Sequence, residues 1–446
     1  MTQNPTRGDS ISAEHSSPTG RPQRRAALTA LAAMSLVYFF SYFQRVAVPG
    51  TVFNEIQTDL GLSAAAVTAL GSVFLYVYAG MQLVVGMAAD RFGGVRMLLL
   101  GGLVMCIGSI IFPLSTSLWM LYASRALTGL GGSFMFLCLV REIATCFAPL
   151  QFPVLMGAVL LVGYAGGVAA TAPFERVVAG VGWRNGLLGA GVLACLSLAV
   201  AWLLLRRLKL PERQGQPISL RPLVRVLTNR RSLPLLVCGL INFPVYFVIQ
   251  STLGKKFLED YAGLSSAEAS NFTFAMMLAT AVLVFASGYS LRLIGHRRKP
   301  CLVLAAVLVL GASLLMLLGV RNGWGGGLFL LCYLMLGAST SLSPAIEATM
   351  KELNRADAVA LSLGVYNLAA YIGVAVLANV SGVVMDHFSG QAAVTPGGTI
   401  YPPQAYLMIF AVLSAMGVVS VVCSLLVPET GLKLRAAENG RPANGE

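Results

Sequence analysis

The sequence predicts an all-α membrane protein of twelve transmembrane helices in two pseudo-symmetric six-helix halves. Three observations point there. Hydrophobic residues make up 57% of the 446 and charged residues only 11%, against roughly 25% charged in soluble domains. So few charges cannot cover a surface facing water, whereas lipid-facing side chains should be apolar. Apolar runs of about 20 residues, the length that crosses a bilayer, recur along the chain. The longest internal polar segment, 206–231, falls at the midpoint of those runs, where a link between duplicated units belongs.

In chain order, residues 1–26 are polar and rich in Ser, Pro and Arg and read as a disordered cytoplasmic tail. The apolar run after Arg24-Arg25 is a retained first span, because no small-residue cleavage site follows it. The first half, 27–205, holds spans near 27–49, 64–88, 95–114, 117–140, 153–174 and 184–205. The basic linker 206–231 follows. The second half, 232–427, holds spans near 232–253, 268–291, 299–320, 324–346, 357–381 and 404–427. Residues 428–446 form the closing tail.

The net charge of +13 lies in short clusters between apolar runs, without the aromatic-basic surface that nucleic-acid binding needs. Counted by side, 23 of the Lys and Arg fall on the face bearing both ends and 5 on the opposite face. Basic residues concentrate in cytoplasmic loops, which places both termini in the cytoplasm and the chain in the inner (plasma) membrane. The eight cysteines stand singly in mostly apolar segments, and His15, His296 and His387 are far apart. No metal-ligand spacing, cofactor motif or catalytic His-Glu or Ser-His set is present, so neither cofactor nor enzymatic activity is expected. The lipid bilayer and a small molecule are the expected partners of a monomeric chain.

The duplication leaves a trace after the second span of each half. One copy reads Gly86-Met-Ala-Ala-Asp90-Arg91-Phe-Gly93-Gly94-Val-Arg96. The other reads Gly288-Tyr-Ser-Leu-Arg292-Leu-Ile-Gly295, followed by basic residues. The first copy closely resembles the loop signature G-x-x-x-D-R-x-G-x-x-R of the major facilitator superfamily. Arg125-Ala-Leu-Thr-Gly129-Leu-Gly131 resembles that family's R-x-x-x-G-x-G element, and Gly182-Trp183-Arg184 is also a common feature of it. Tyr42-Phe-Gln-Arg45-Val looks like the Y-x-x-R-V element of the anion:cation symporter branch, with Tyr78-Ala-Gly-Met-Gln82 and Arg141 fitting the same branch. The resemblance covers about 27 to 430. It implies alternating access, a substrate that is an organic anion, and gating by Gly86, Asp90, Arg91, Gly93, Arg96, Arg125 and Glu142 at the inner face. Gly132 stands where many members have an acidic residue seven positions after the helix-four arginine, so proton coupling by that route is in doubt.

A charge inside a bilayer costs roughly 2.5–3.5 kcal/mol on insertion scales unless it is paired or solvated, which singles out Arg45 and Arg125. At 100° per residue, Tyr38, Ser41, Tyr42 and Arg45 share one face of the first span. A guanidinium on a tyrosine-bearing face suits a carboxylate or phosphate; the alternative is that Arg45 snorkels to the headgroups. Arg125 shares its face with Gly129, Gly132 and Phe136, and pairing with backbone carbonyls is one role open to it. Gln82, Gln250 and Asn367 are further candidates for substrate contact. Asn242, Tyr246, Ser343, Tyr366 and Tyr371 are polar neighbours that packing alone also explains. Glu347 is a candidate proton carrier or a rim residue beside Lys351.

The expected function is proton-coupled uptake of a small organic anion. One alternative is efflux of a drug, siderophore or metabolite. Gly163, Gly166 and Gly167 lack the Gly-Pro pair of the drug-exporter signature, which counts against it. A transporter-like receptor without flux is a remote third.

Overall fold

The computed structural model describes residues 21–147, 151–208, 226–293, 297–354, 359–395 and 398–430. His296, most of both tails and most of the basic linker lie outside that set, as does the side chain of Asp90. Seventeen α-helices are described within it. The first half comprises α1 (Arg21–Ala47), α2 (Phe53–Leu60), α3 (Ala64–Phe92), α4 (Gly94–Leu114), α5 (Leu118–Cys146), α6 (Phe152–Ala169), α7 (Ala172–Val181) and α8 (Trp183–Leu205). The second comprises α9 (Leu233–Gly239), α10 (Asn242–Val248), a π-helical turn (Ile249–Leu253), α11 (Gly254–Ala262), α12 (Ser266–Leu293), α13 (Lys299–Arg321), α14 (Gly326–Ser341), α15 (Ser343–Leu353), α16 (Val359–His387) and α17 (Pro403–Leu426). They make twelve segments long and apolar enough to cross a membrane.

Three expected spans are not single helices. Pro173 restarts the fifth as α7, the seventh breaks at Leu240-Ile241 and ends in the π-helical turn, and Pro344 starts α15 inside the tenth. Proline is well placed in a first helical turn, where its missing N–H costs nothing. Two elements had no apolar signal: the amphipathic α2, and a hairpin of Ala393–Thr395 with Gly398–Ile400. Helix α1 begins inside the segment read as a tail.

The connections of the two halves repeat each other. Gly61-Leu62-Ser63 ends α2 and opens α3; Gly263-Leu264-Ser265 ends α11 and opens α12. Gly61 (φ 61°) and Gly263 (φ 64°) both close their helix in the left-handed region, where glycine meets no Cβ penalty. Each serine then caps the next helix: Ala66 N donates to Ser63 Oγ at 3.2 Å and Glu268 N to Ser265 Oγ at 3.3 Å. Identical cap chemistry at corresponding places is what a duplicated unit leaves behind.

At the end holding these connections the halves are bound together. Lys255, 2% exposed, donates to Thr51 O at 2.5 Å and pairs with Glu55 at 3.2 Å and Glu259 at 3.6 Å. Asn54 Nδ2 donates to Glu259 at 2.7 Å. Lys256, 1% exposed, pairs with Asp260 at 2.6 Å and donates to Thr399 O. Tyr406 OH and Tyr401 N donate to Asp260 at 2.6 and 3.0 Å, and Gln57 donates to Tyr401 OH at 2.9 Å. Lys255 and Lys256, two of the five basic residues counted on the face opposite the termini, are buried helical residues. Burial of a lysine is tolerated because a carboxylate and a carbonyl satisfy each ammonium.

One contact between the halves is a helix cap. Asp386, in the last turn of α16, accepts from Ala64 N at 2.8 Å and Ala65 N at 3.1 Å. It thereby meets the positive end of the α3 dipole. Gly382, one turn earlier, packs on α3 so closely that a Cβ would overlap Thr68. Below it, Ser72 Oγ donates to Ala375 O at 2.9 Å. Asp386→Ala leaves two N–H groups at the α3 terminus without their acceptor, and this end should open more often. With Ala375→Cys as reporter, labelling by an impermeant thiol reagent should quicken about tenfold, the change in population for roughly 1.4 kcal/mol. An unchanged labelling rate would mean that the cap does not hold this end shut.

Candidate functional site

Between the halves lies a cavity of about 110 Å³. From the first half, Tyr38 and Tyr42 of α1, Tyr78 of α3, Phe136 of α5 and Tyr164 of α6 line it. From the second come Asn242 and Phe243 of α10, Ser339 and Thr340 of α14, Ser343 and Glu347 of α15, and Tyr366, Asn367 and Tyr371 of α16. Glu347 is exposed although it lies between the halves, so solvent reaches the cavity from its side. The cavity is therefore closed at the end of the ion pairs and accessible from the other.

Two buried arginines of the first half are satisfied in contrasting ways. Arg125, 1% exposed, donates from Nε to Leu70 O, from Nη1 to Gln44 O and from Nη2 to Val48 O, each at 3.1 Å. Its fork ties the end of α1 to α3, and the ring of Phe74 lies 4.7 Å from its carbon. Every guanidinium nitrogen is used. The close packing of α5 that brings Arg125 there rests on glycine: a Cβ at Gly129 would meet the backbone of Phe74.

Arg45, 3% exposed, makes one hydrogen bond among the described residues, from Nη1 to Tyr371 OH at 2.8 Å across the two halves. Its Nε and Nη2 are buried without a partner. No carboxylate among the described residues pairs with it. The guanidinium carbon lies 4.3 Å from the ring centre of Tyr78, 5.0 Å from Tyr42, 5.3 Å from Tyr371 and 5.9 Å from Phe74. Tyr42, Tyr78 and Tyr371 are also cavity walls, so Arg45 stands directly behind the closed end of the cavity. It does not snorkel. Cation–π attraction offsets part of its desolvation, on the order of 2 kcal/mol when buried, and leaves two donors open.

The remaining candidates separate. Tyr38, Tyr42, Asn367 and Glu347 line the cavity. Ser41, Gln82 and Gln250 are buried and are not among the wall residues. Ser41 turns toward α5, 3.1 Å from where a Cβ of Gly132 would stand, because it lies 60–100° around α1 from the two tyrosines. Among the described residues Gln82 makes a long contact, 3.5 Å, to Tyr78 O. Gln250 sits in the π-helical turn with both amide atoms unpartnered. Tyr78, Tyr164, Phe136 and Phe243 join the wall without having been singled out as contacts. Aromatic residues in apolar runs carry no sign of which way they face, though Tyr164 does stand between Gly163 and Gly166.

Of the gating candidates, Arg125 belongs to the carbonyl cage just described, at the closed end. The others lie at the opposite end. Gly93 (φ 92°) makes the turn between α3 and α4, and Glu142 pairs with Arg141 at 2.9 Å. Glu142 also lies against the start of α4, since a Cβ at Gly94 would come 2.6 Å from its Oε1. Gly86 is half-buried in α3, and Arg91 and Arg96 are exposed. Asp90 lies in the last turns of α3.

Twelve membrane-crossing helices in two repeated halves, closed around a polar cavity at one end, define a membrane transporter. The chain belongs to the Major Facilitator Superfamily, whose model matches residues 34–324. A probable sulfoacetate transporter of Cupriavidus necator is 27% identical over 175 residues, a match spanning 39% of this chain and 39% of that relative. Among solved structures, a POT family transporter in complex with 5-aminolevulinic acid superposes with a TM-score of 0.74 at 15% identity, covering 90% of this chain and 96% of that one. A bacterial homologue of the human lysosomal transporter Spinster, in an inward-facing and unoccupied conformation, gives 0.69 at 17% identity, covering 96% and 100%. These likenesses establish the fold.

Proposed function

We propose that this transporter takes up a small organic anion across the inner membrane by alternating access, driven by protons, with Arg45 as the group that receives the anion. The observation that carries the reading is the pair of unused donors on Arg45, buried behind the cavity wall without a counter-ion. A substrate acid group reaching between Tyr42, Tyr78 and Tyr371 would accept from the fork in the planar geometry that suits carboxylate, phosphate or sulfonate. The likeness to a probable sulfoacetate transporter supports an acidic substrate. The cavity is smaller than the roughly 300–1,000 Å³ usual for drug-sized ligands, which favours a compact solute over a drug.

In this reading residues 27–205 and 232–427 rock as two bodies about the 206–231 linker, in a chain acting as a monomer. Ion pairs and the Asp386 cap close the outer end. Gly86, Asp90, Arg91, Gly93, Arg96 and Glu142 close the inner one in the alternate state. Asn367 contacts the uncharged part of the substrate, while Ser41, Gln82 and Gln250 support the wall from behind.

The direct test is thermal stabilisation of the purified protein by a panel of carboxylates, sulfonates and sugar phosphates, since a ligand that binds the folded state raises its melting temperature by mass action. Stabilisation by anions but not by matched neutral or cationic compounds is expected. The reverse order would favour the efflux reading. Sidedness has its own test. Gln391→Cys should react with an impermeant thiol reagent in intact cells and Arg435→Cys should not; reversed labelling would place the termini outside.

A further inference from the structure

Gly163, Gly166 and Gly167 of α6 have no part in the ion pairs or in the setting of Arg45. All three are buried, whereas Ala165 among them is exposed. Gly163 and Gly167 lie about 40° apart on one face of α6, as Tyr38 and Tyr42 do on α1, and the two faces meet in register. A Cβ at Gly163 would overlap the ring of Tyr38, standing 2.8 Å from Cζ and 3.0 Å from the hydroxyl. One at Gly167 would overlap the methyl of Met277 and stand 3.0 and 3.1 Å from Cδ1 and Cε1 of Tyr42. One at Gly166 would overlap Phe39 O, so the two helix backbones are themselves in contact.

Both tyrosines are cavity walls. The ring of Tyr38 has Phe136 at 6.0 Å and Tyr42 at 6.2 Å, and that of Tyr42 has Tyr164 at 5.6 Å. With α6 behind them and these rings at their sides, the free volume beside each is the cavity. The cavity is furnished for a ligand. Thr340 on its opposite wall is 7% exposed, and its hydroxyl has no partner among the described residues.

A methyl group at position 163 would force the Tyr38 ring back by about 1 Å, to the 3.5–4.0 Å at which carbon atoms pack. A ring that turns on two torsions yields before two packed backbones do, and the space open to it is the cavity. In a cavity of about 110 Å³, that movement takes away room that a solute needs.

We propose that Gly163 and Gly167 set the width of the cavity by seating Tyr38 and Tyr42, so that the transporter selects slender acids and rejects broad ones of the same charge. This rests on Arg45 receiving the anion. The glycines are positioning residues: they touch the tyrosines, and the tyrosines touch the solute. Charge is read by Arg45 and girth by the two rings.

The test is a ladder of sulfonates of equal charge, methanesulfonate, ethanesulfonate, 2-propanesulfonate and benzenesulfonate, competing with exchange of labelled methanesulfonate in proteoliposomes. For the wild type, benzenesulfonate should compete at least about tenfold more weakly than ethanesulfonate, since misfit by even one carbon in a closed pocket is worth that much. Gly163→Ala and Gly167→Ala should move the cut-off down the ladder, weakening 2-propanesulfonate relative to methanesulfonate by about tenfold. Tyr38→Ala should move it up and bring benzenesulfonate within about threefold of ethanesulfonate. It takes nothing from the contact between backbones, so it tests the proposal even where an alanine in α6 prevents folding. Gly163→Ala combined with Tyr38→Ala should match Tyr38→Ala alone, because the glycine acts through that ring. Ala165→Val, on the exposed side of α6, should leave the order unchanged.

The proposal is overturned if the wild type accepts benzenesulfonate as readily as methanesulfonate, or if Tyr38→Ala keeps the wild-type order. It is equally overturned if the glycine variants lose affinity for every member alike, which is damage to packing without selection. Arg45→Ala separates the two readings. Exchange by that variant at the wild-type rate would refute the anion site, while the order of sizes is still read on the same ladder. A wild type that exchanges none of the four at millimolar concentration overturns both.

Discussion

Replacing Arg45 by alanine should abolish binding and transport of the anion while the protein still inserts and folds. The side chain contributes one hydrogen bond to the structure, to Tyr371 OH, plus its aromatic contacts, and it has two donors in reserve. An anion entering the cavity gives up its water, and a fixed cation compensates for that loss only if it is already desolvated and oriented. Removing it should lower the affinity at least a hundredfold. Arg45→Lys keeps the charge and loses the fork, so it should bind about tenfold more weakly or worse. Tyr38→Phe and Tyr42→Phe each remove a single hydroxyl, worth about 0.5–1.5 kcal/mol, and should cost two- to tenfold. Solute exchange by monodisperse protein in vesicles measures all four variants. Wild-type exchange by Arg45→Ala would move the weight to efflux of an uncharged or cationic compound.

Arg125→Ala should do the opposite: damage the fold first. Three backbone carbonyls, of Leu70, Gln44 and Val48, lose their donor where the arginine side chain is 1% exposed. A buried polar group left unsatisfied costs about 1–3 kcal/mol, so the loss is roughly 2–9 kcal/mol if two or three stay open. Lysine cannot span all three acceptors from one ammonium and should rescue only in part. Melting temperature and monodispersity should fall well below those of Arg45→Ala. An Arg125→Ala protein as stable as wild type but inactive would instead give Arg125 a direct part in transport.

These two residues show what the sequence reveals and what it hides. Both stand out as charges in apolar runs, and helical periodicity places Tyr38, Ser41, Tyr42 and Arg45 on one side of α1. Periodicity does not give the width of the cavity. The two tyrosines one turn apart form its wall, whereas Ser41 turns into α5 and Arg45 lies behind the rings. Gln82 and Gln250 are the same kind of residue as Asn367 in the same kind of helix, and only the packing of distant segments separates wall from support. The closure at the ion-paired end is hidden for a similar reason. Lys255 meets Thr51 and Glu55 from about two hundred positions away, and neither α2 nor the hairpin at 393–400 has an apolar run to announce it. The twelve spans, by contrast, follow from local composition, because each must satisfy its own backbone in lipid. The paired Gly-Leu-Ser connections were equally open to view, at matching places in the two halves.

The most direct test of the account is trans-stimulated exchange by the wild-type protein. Vesicles preloaded with an unlabelled sulfonate or carboxylate should take up the labelled form faster than empty ones, and a matched neutral alcohol or amine inside should give no stimulation. This outcome requires one cavity that alternates between two faces and prefers anions. Equal uptake by preloaded and empty vesicles, or stimulation by the amine rather than the acid, would contradict it.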